Sequence, residues 1–209
     1  MRIISIDPGW DKAGVAIMDK PPAQRHAEII KLYELDMREC KNPIRAIYQW
    51  FDGFFTSPGF PNTIVIENAL KAGEKPRLHA DTLGAAQNRG IALARCQQIA
   101  GAIIGIALYH GMQVVEISPS EWNPSHNKKE SFHDSVYRLY PDLHNMRLQG
   151  KGSRKNIGRN ISSDVLDAIW IGYSFLTHTY RGVLGHGKAK EADAGGFRCD
   201  AAFRLQPGT

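Results

Sequence analysis

Two short apolar segments that each end in an acidic residue most constrain the fold of this chain. Residues 2–7 (RIISID) have the composition of a strand that stops at Asp7, where Pro8-Gly9 begins a turn. Residues 63–66 (TIVI) form a continuous β-branched run, typical of a central buried strand, and Glu67 follows directly. A carboxylate at the end of a buried strand is costly unless something offsets its charge. The sequence therefore predicts that these strand-end carboxylates bind a positively charged group.

The remaining segments place these two strands in an alternating α/β order. Residues 13–18 return from the turn as a second strand, and residues 26–35 have the composition of a third. Apolar periodicity predicts four helices and one further strand. These are a helix at 43–55 with Asn42 as N-cap, a helix at 84–109, a strand at 112–117, a helix at 128–140, and a helix at 163–176 capped by Ser162 or Ser163.

This order predicts an α/β fold with a five-stranded mixed sheet flanked by helices. A three-strand antiparallel meander would supply one part of the sheet, and two parallel strands would supply the other. Residues 143–162 have the composition of a basic loop. We expect one domain over residues 1–178 and a flexible C-terminal tail over 179–209.

Composition narrows the class of protein further. The 209 residues carry a net charge of +5, which is compatible with a nucleic-acid partner but equally with a generic basic protein. Three widely spaced cysteines form no Cys-x-x-Cys pair, so neither a zinc knuckle nor a disulfide framework is indicated. The most apolar stretch, 99–108, is too short to span a bilayer, and no apolar leader precedes the first strand. These features predict a cytoplasmic protein without a membrane partner.

Four acidic residues form the constellation with the clearest chemical meaning. Asp7 and Glu67 end two strands, and Asp164 and Asp167 lie three residues apart at the start of the last helix, on one helical face. Each acid alone has a simpler interpretation, as a turn former, an exposed strand end or a favourable partner of the helix dipole. Four carboxylates in one place would repel each other, and a hard divalent cation is the usual way to keep them ionised. We therefore predict Mg²⁺ (or Mn²⁺), with two ions per site arranged for phosphodiester hydrolysis.

Five motifs, in order along residues 2–178, resemble those of RuvC-type Holliday junction resolvases, which belong to the RNase H-like superfamily. "IISIDPGWDKAGVAI" resembles the family's first hairpin, and "IVIENAL" resembles its fourth strand with the catalytic Glu. "AAQNRGIALARCQQIAGAII" resembles the Gln-x-Arg-Gly start of its long helix. "VVEISPSEW" resembles its fifth strand, and "SSDVLDAIWIGYSFLTH" resembles its closing Asp-x-x-Asp-Ala helix.

The resemblance implies an RNase H-like fold and a homodimeric endonuclease that cuts opposed strands of a four-way DNA junction, with no small-molecule cofactor. Asp7, Glu67, Asp164 and Asp167 would be its catalytic residues and metal ligands. Close dimer contacts along the long helix would be allowed by its small residues, although these could equally pack on the sheet. Those residues are Ala92, Ala94, Gly101, Ala102 and Gly105.

Several residues are expected to contact DNA. The resemblance assigns this role to Gln87 and Arg89 of the long-helix motif, and to Leu70, which occupies a position where the family often carries an aromatic wedge. Basic residues near the acids would bind phosphates, although the loop before the last helix could also be a solvated insertion. These basic residues are Lys71, Lys75, Arg77, Lys128, Lys129, Lys151, Arg154, Lys155 and Arg159.

Three alternatives remain open. A nuclease of structured RNA, similar to YqgF-like enzymes, would share the superfamily but usually lacks the closing Asp-x-x-Asp-Ala pair. An actin-like ATPase would require a second phosphate loop and a second domain, for which 209 residues leave no room. A junction-binding protein without activity would have no need to keep all four acids.

Overall fold

The computed structural model describes residues 1–56, 59–68, 83–122, 129–145, 148–149 and 161–179. Six strands and five α-helices follow each other along this part of the chain. The strands are β1 (Arg2–Pro8), β2 (Lys12–Asp19), β3 (Glu28–Asp36), β4 (Thr63–Glu67), β5 (Gln113–Ile117) and β6 (Leu148–Gln149). The helices are α1 (Pro43–Phe55), α2 (Leu83–Tyr109), α3 (Pro119–Trp122), α4 (Lys129–Leu139) and α5 (Ser163–Ser174).

The strands form one mixed sheet in the order β5-β4-β1-β2-β3-β6. β1, β2 and β3 pair antiparallel as a meander, whereas β4 runs parallel to β1 and β5 runs parallel to β4. This arrangement confirms the predicted fold class and its five strands. The parallel pairing also brings the C-terminal ends of β1 and β4 to the same edge of the sheet.

The segment predicted as a loop at 143–162 is partly regular, which corrects the prediction. A 3₁₀ helix covers Pro141–Asn145, and β6 adds a two-residue parallel strand beside β3. An element of two residues has no periodicity that a sequence pattern can reveal.

Alternation along the strands divides the core into two layers. Ile3 in β1 and Val65 in β4 point to the layer under α5, whereas Ile4 and Ile66 point to the layer under α1 and α2. Because side chains alternate with a period of two, Asp7 shares the face of Ile3, and Glu67 shares the face of Val65. Both strand-end acids therefore point toward the layer that contains α5.

The helix ends agree closely with the sequence-based expectations. The Asn42 side chain accepts a hydrogen bond from the Arg45 backbone N–H at 3.0 Å, which confirms the predicted cap of α1. Ser162 takes the N-cap position of α5, but its side chain makes no capping hydrogen bond. The final helical segment continues past α5 as a π-helical turn over Phe175–Thr179.

Helix α2 is buried on one side only. Ile99, Ile103 and Ala107 are fully or almost fully buried against the sheet and α1. The segment Gly90–Tyr109 is long and apolar enough to span a membrane by length and composition, with a mean hydropathy of 1.6, and 28% of it is buried. The apolar stretch is thus longer than the predicted 99–108, and the expectation that it is too short to span a bilayer was wrong by length and composition.

Candidate active site

Asp7 and Glu67 are neighbours at the end of two adjacent parallel strands. The register pairs Ile6 with Ile66, so the next residue of each strand is one of the two acids. Both residues are partly buried, and both lie on the α5 side of the sheet. The sheet alone therefore brings together two acids separated by 60 residues of sequence.

Asp164 reaches the same place because β2 carries a glycine opposite Asp7. The register pairs Asp7 with Gly14, and a Cβ atom built on Gly14 would lie 2.0 Å from the backbone oxygen of Asp164. No side chain larger than hydrogen fits there unless α5 moves. The first turn of α5 consequently rests on β2, directly beside the strand-end acids.

Asp167 lies next to Asp164 and is more deeply buried. The residue is 6% exposed, and its Oδ1 lies 3.0 Å from Nε2 of His133 in α4. Burial is the main cause that raises the pKa of Asp164, and repulsion by the Asp167 carboxylate adds to it. The structure thus places the two α5 acids close enough to interact electrostatically.

The thiol of Cys96 in α2 lies near the acids of three elements. Burial is the largest cause that raises the pKa of this thiol, and the negative charges of Asp7, Glu67 and Asp164 raise it further. The thiol therefore lies within electrostatic range of an acid from β1, an acid from β4 and an acid from α5. Sequence reasoning assigned no role to Cys96.

The donor chemistry of the four acids suits a hard cation, because carboxylate oxygens are the ligands that Mg²⁺ and Mn²⁺ prefer. Within the described ranges, however, no three His, Cys, Asp or Glu side chains are arranged as a group that could hold one metal ion. The acids share one end of the sheet without the ligand spacing of a formed metal site. A cation that drew the carboxylates together would also relieve the repulsion that raises the pKa of Asp164.

Two residues that sequence reasoning missed hold these acids through hydrogen bonds. Nε1 of Trp122 donates to Oε2 of Glu67 at 2.9 Å, and His133 contacts Asp167 as described above. Trp122 is the last residue of α3, the short helix that follows β5. The sequence signal was an apolar ring in a polar segment, which by itself indicates only a core position.

A positive charge also lies near the acids. Nζ of Lys12 forms an ion pair with Oε1 of Glu34 at 2.9 Å, and its charge acts to lower the pKa of Asp164 against the dominant effect of burial. A second positive charge comes from α2, where the guanidinium of Arg95 lies 5.4 Å from the centre of the ring of Trp10 in the turn between β1 and β2. Neither pair was singled out from the sequence.

Most of the predicted DNA contacts lie outside the described residues. Those outside are Leu70, Lys71, Lys75, Arg77, Lys128, Lys151, Arg154, Lys155 and Arg159. Gln87 lies in the second turn of α2 with an exposed side chain, Arg89 follows in the same helix, and Lys129 is the first residue of α4. These assignments stay predictions.

Comparison with solved structures shows that the fold is shared with resolvases. RuvC from Thermus thermophilus matches with a TM-score of 0.59 at 15% identity, over 87% of this chain and 97% of that one. T. thermophilus RuvC in complex with a Holliday junction substrate matches with a TM-score of 0.56 at 15% identity, over 88% and 97%. The Holliday junction resolvase of fowlpox virus matches with a TM-score of 0.51 at 14% identity, over 84% and 98%.

These likenesses confirm the predicted resemblance to RuvC-type resolvases at the level of the fold. No protein-family model matches the chain, and no curated protein matches it in sequence. At identities of 14–15%, activity has to be argued from the residues at the site.

Proposed function

We propose that this protein is an endonuclease that resolves four-way DNA junctions by metal-dependent hydrolysis of phosphodiester bonds. The observation that carries the proposal is the convergence of acids at one end of the sheet, fixed by the contact between Gly14 and the Asp164 backbone. The fold shared with RuvC and the fowlpox resolvase supports the choice of substrate. A binding module would need neither the buried Asp167 nor the raised pKa of Asp164.

Asp7, Glu67, Asp164 and Asp167 would hold the divalent cations, with two ions per site. When bound, such ions supply a water of lowered pKa and stabilise negative charge on the leaving oxygen of the phosphodiester. β1 and β4 fix the directions of Asp7 and Glu67, since both strands are hydrogen-bonded on each side within the sheet. α5 holds Asp164 and Asp167 on one face. The four carboxylates would therefore be in place to bind cations before DNA binds.

A second copy of this chain is the proposed partner at α2. Part of the exposed surface of this helix forms a strip about 100° wide when its residues are placed at 3.6 residues per turn. The exposed residues in this strip are Gln87, Ile91, Ala94, Gln98, Gly101, Gly105, Leu108 and Tyr109. Gly84, Asn88, Ala92 and Arg95 are also exposed and extend the surface on one side of the strip. A Cβ atom built on Gly101 or Gly105 meets no atom of the described chain within 4 Å. This mostly apolar strip, the α2 face, would bring two active sites into the two-fold symmetry of a four-way junction.

Competing substrates distinguish this proposal from its alternatives. The protein is incubated with an end-labelled four-way junction, its linear duplex and a structured RNA hairpin, each with Mg²⁺, with Mn²⁺ or with EDTA. We expect paired cuts in the junction only, which require the metal, while EDTA leaves junction binding intact. Cleavage of the RNA in preference to the junction would indicate an RNA nuclease, and metal-independent binding without cutting would indicate an inactive binder.

A further inference from the structure

The indole of Trp122 is buried against the strand-end acid of β4. The residue is 6% exposed, and Nε1 donates to Oε2 of Glu67 at 2.9 Å. A hydrogen bond from N–H to a carboxylate is charge-assisted and therefore stronger than a neutral one. A rigid ring that is held by packing fixes the direction of this donor, and thus the orientation of the Glu67 carboxylate.

The helix that carries Trp122 is itself held in place at its start. α3 has only four residues, but the Glu121 carboxylate reaches back to Ser118 at its start, as the Glu of a capping box does. Oε2 of Glu121 accepts from the Ser118 backbone N–H at 2.7 Å and from the Ser118 hydroxyl at 3.0 Å. Ser118 is fully buried, whereas Glu121 is exposed, so the cap lies at the boundary between the core and the surface.

A second indole connects α3 to the helix that carries the other acids. Nε1 of Trp170 donates to the backbone oxygen of Trp122 at 3.1 Å. Trp170 lies three residues after Asp167, on the same side of α5. Two indole hydrogen bonds therefore connect α5 to α3 and α3 to Glu67. Through them, the position of Glu67 depends on the helix that carries Asp164 and Asp167.

We propose that Trp122 is a positioning residue that sets the orientation of Glu67 for cation binding, with Trp170 as its anchor on α5. The inference rests on the proposed function, because it gives Glu67 a role as a metal ligand. Outer partners of metal ligands typically change metal affinity or activity by about 10–100-fold when they are removed. A residue that serves only the core would instead affect stability alone.

The test removes the N–H group and keeps the shape of the ring. Trp122 is replaced by 3-benzothienylalanine, in which sulfur takes the place of the indole N–H, by site-specific incorporation into the full chain. The same replacement at Trp50, which packs among the aromatic rings of α1, is the matched control. The readouts are Mn²⁺ affinity by electron paramagnetic resonance, junction affinity in EDTA, cleavage at saturating junction and thermal unfolding.

We expect the Trp122 isostere to bind Mn²⁺ about 10–100-fold more weakly and to cleave correspondingly more slowly at subsaturating metal. Junction affinity in EDTA and the unfolding temperature should stay close to those of the wild type, as should every property of the Trp50 control. The same isostere at Trp170 should show a smaller loss of the same kind.

Two other outcomes have different meanings. If the wild type binds Mn²⁺ and cuts junctions, and the Trp122 isostere equals it in both, the positioning role is overturned while the proposed function stands. If the wild type neither binds Mn²⁺ nor cuts junctions, the proposed function fails and the positioning role falls with it.

Discussion

Gly14 in β2 lies directly against the backbone of Asp164 in the first turn of α5. A Cβ atom on Gly14 would approach the Asp164 backbone oxygen to 2.0 Å, and backbone atoms cannot rotate away as a side chain can. Because Gly14 also pairs with Asp7 across the sheet, this one contact sets the distance between the strand-end acid and the helix acids.

Gly14→Ala is therefore expected to abolish cleavage by displacing the start of α5. Overpacking of this kind costs about 1–3 kcal/mol of stability, so the variant should still fold. Gly172→Ala is the control, since its Cβ would press on Met18 and Ser5 about 12 Å further along α5. We expect similar losses in the free energy of unfolding but cleavage only in Gly172→Ala, measured by denaturant titration and junction assay. Equal cleavage by the two variants would contradict this use of Gly14.

Asp164→Asn should raise the stability of the metal-free protein at pH 7. Burial, followed by the charge of Asp167, raises the pKa of Asp164 above its ordinary value of 3.8. The cost of ionising it in the folded state thus appears as pH rises above 3.8 and is complete above the raised pKa. Thermal unfolding in EDTA should show a gain at pH 7 that disappears below about pH 3.8. A loss at pH 7 would mean that the attraction of Asp164 to the helix dipole outweighs its burial.

Leu108→Glu should convert the proposed dimer into a monomer by placing a charge in the α2 face. The Leu108 side chain is 59% exposed in one copy of the chain, so the substitution need not disturb the fold. Tyr48→Glu on α1, at a residue that is 51% exposed, is the matched control and should remain dimeric. Sedimentation velocity measures both variants, and a wild type that sediments as a monomer with and without junction DNA would rule out the dimer.

Replacement of Lys151, Arg154, Lys155 and Arg159 by Ala should weaken junction binding and flatten its dependence on salt. Each lost phosphate contact lowers the slope of log K against log salt by about 0.9. The preferred cut site should stay the same, because contacts to phosphates carry no sequence information. Fluorescence anisotropy over a range of salt concentrations checks this prediction, and an unchanged slope would identify the segment as a solvated insertion.

The sequence predicted which acids form the site, but not the contacts that hold them in position relative to each other. Apolar runs that stop at Asp7 and Glu67 have an end that can be read directly, so both strands were predicted correctly. That the two strands are parallel neighbours is a result of the structure, since the sequence does not specify which strands pair. The contact between Gly14 and Asp164 joins residues 150 positions apart, and a glycine in a strand does not indicate what it faces. Trp122 was missed for a different reason: a buried indole is usually a core residue, and its sequence context does not show that it donates a hydrogen bond to an acid.

For the α2 face, the sequence predicted a packing surface but not what packs against it. Its small and apolar residues predicted close packing, but the sequence could not decide between the sheet and a second copy of the chain. The structure separates the two sets of residues, because Ile99 and Ile103 are buried whereas Gly101 and Gly105 are exposed. Helical periodicity alone gives the spacing of a stripe but not the neighbour that covers it.

The rate of junction cleavage by Asp7→Asn, compared with Asp11→Asn, tests the central claim most directly. Both substitutions remove one negative charge in the same β1–β2 hairpin, but Asp7 lies among the acids whereas Asp11 is exposed in the turn. Single-turnover assays with saturating Mg²⁺ should show that Asp7→Asn is slower by more than about 100-fold, because metal-assisted charge stabilisation is worth several kcal/mol. Asp11→Asn should cut at the wild-type rate, and both variants should bind the junction in EDTA as the wild type does. Cleavage by Asp7→Asn within a few-fold of the wild-type rate would contradict the account.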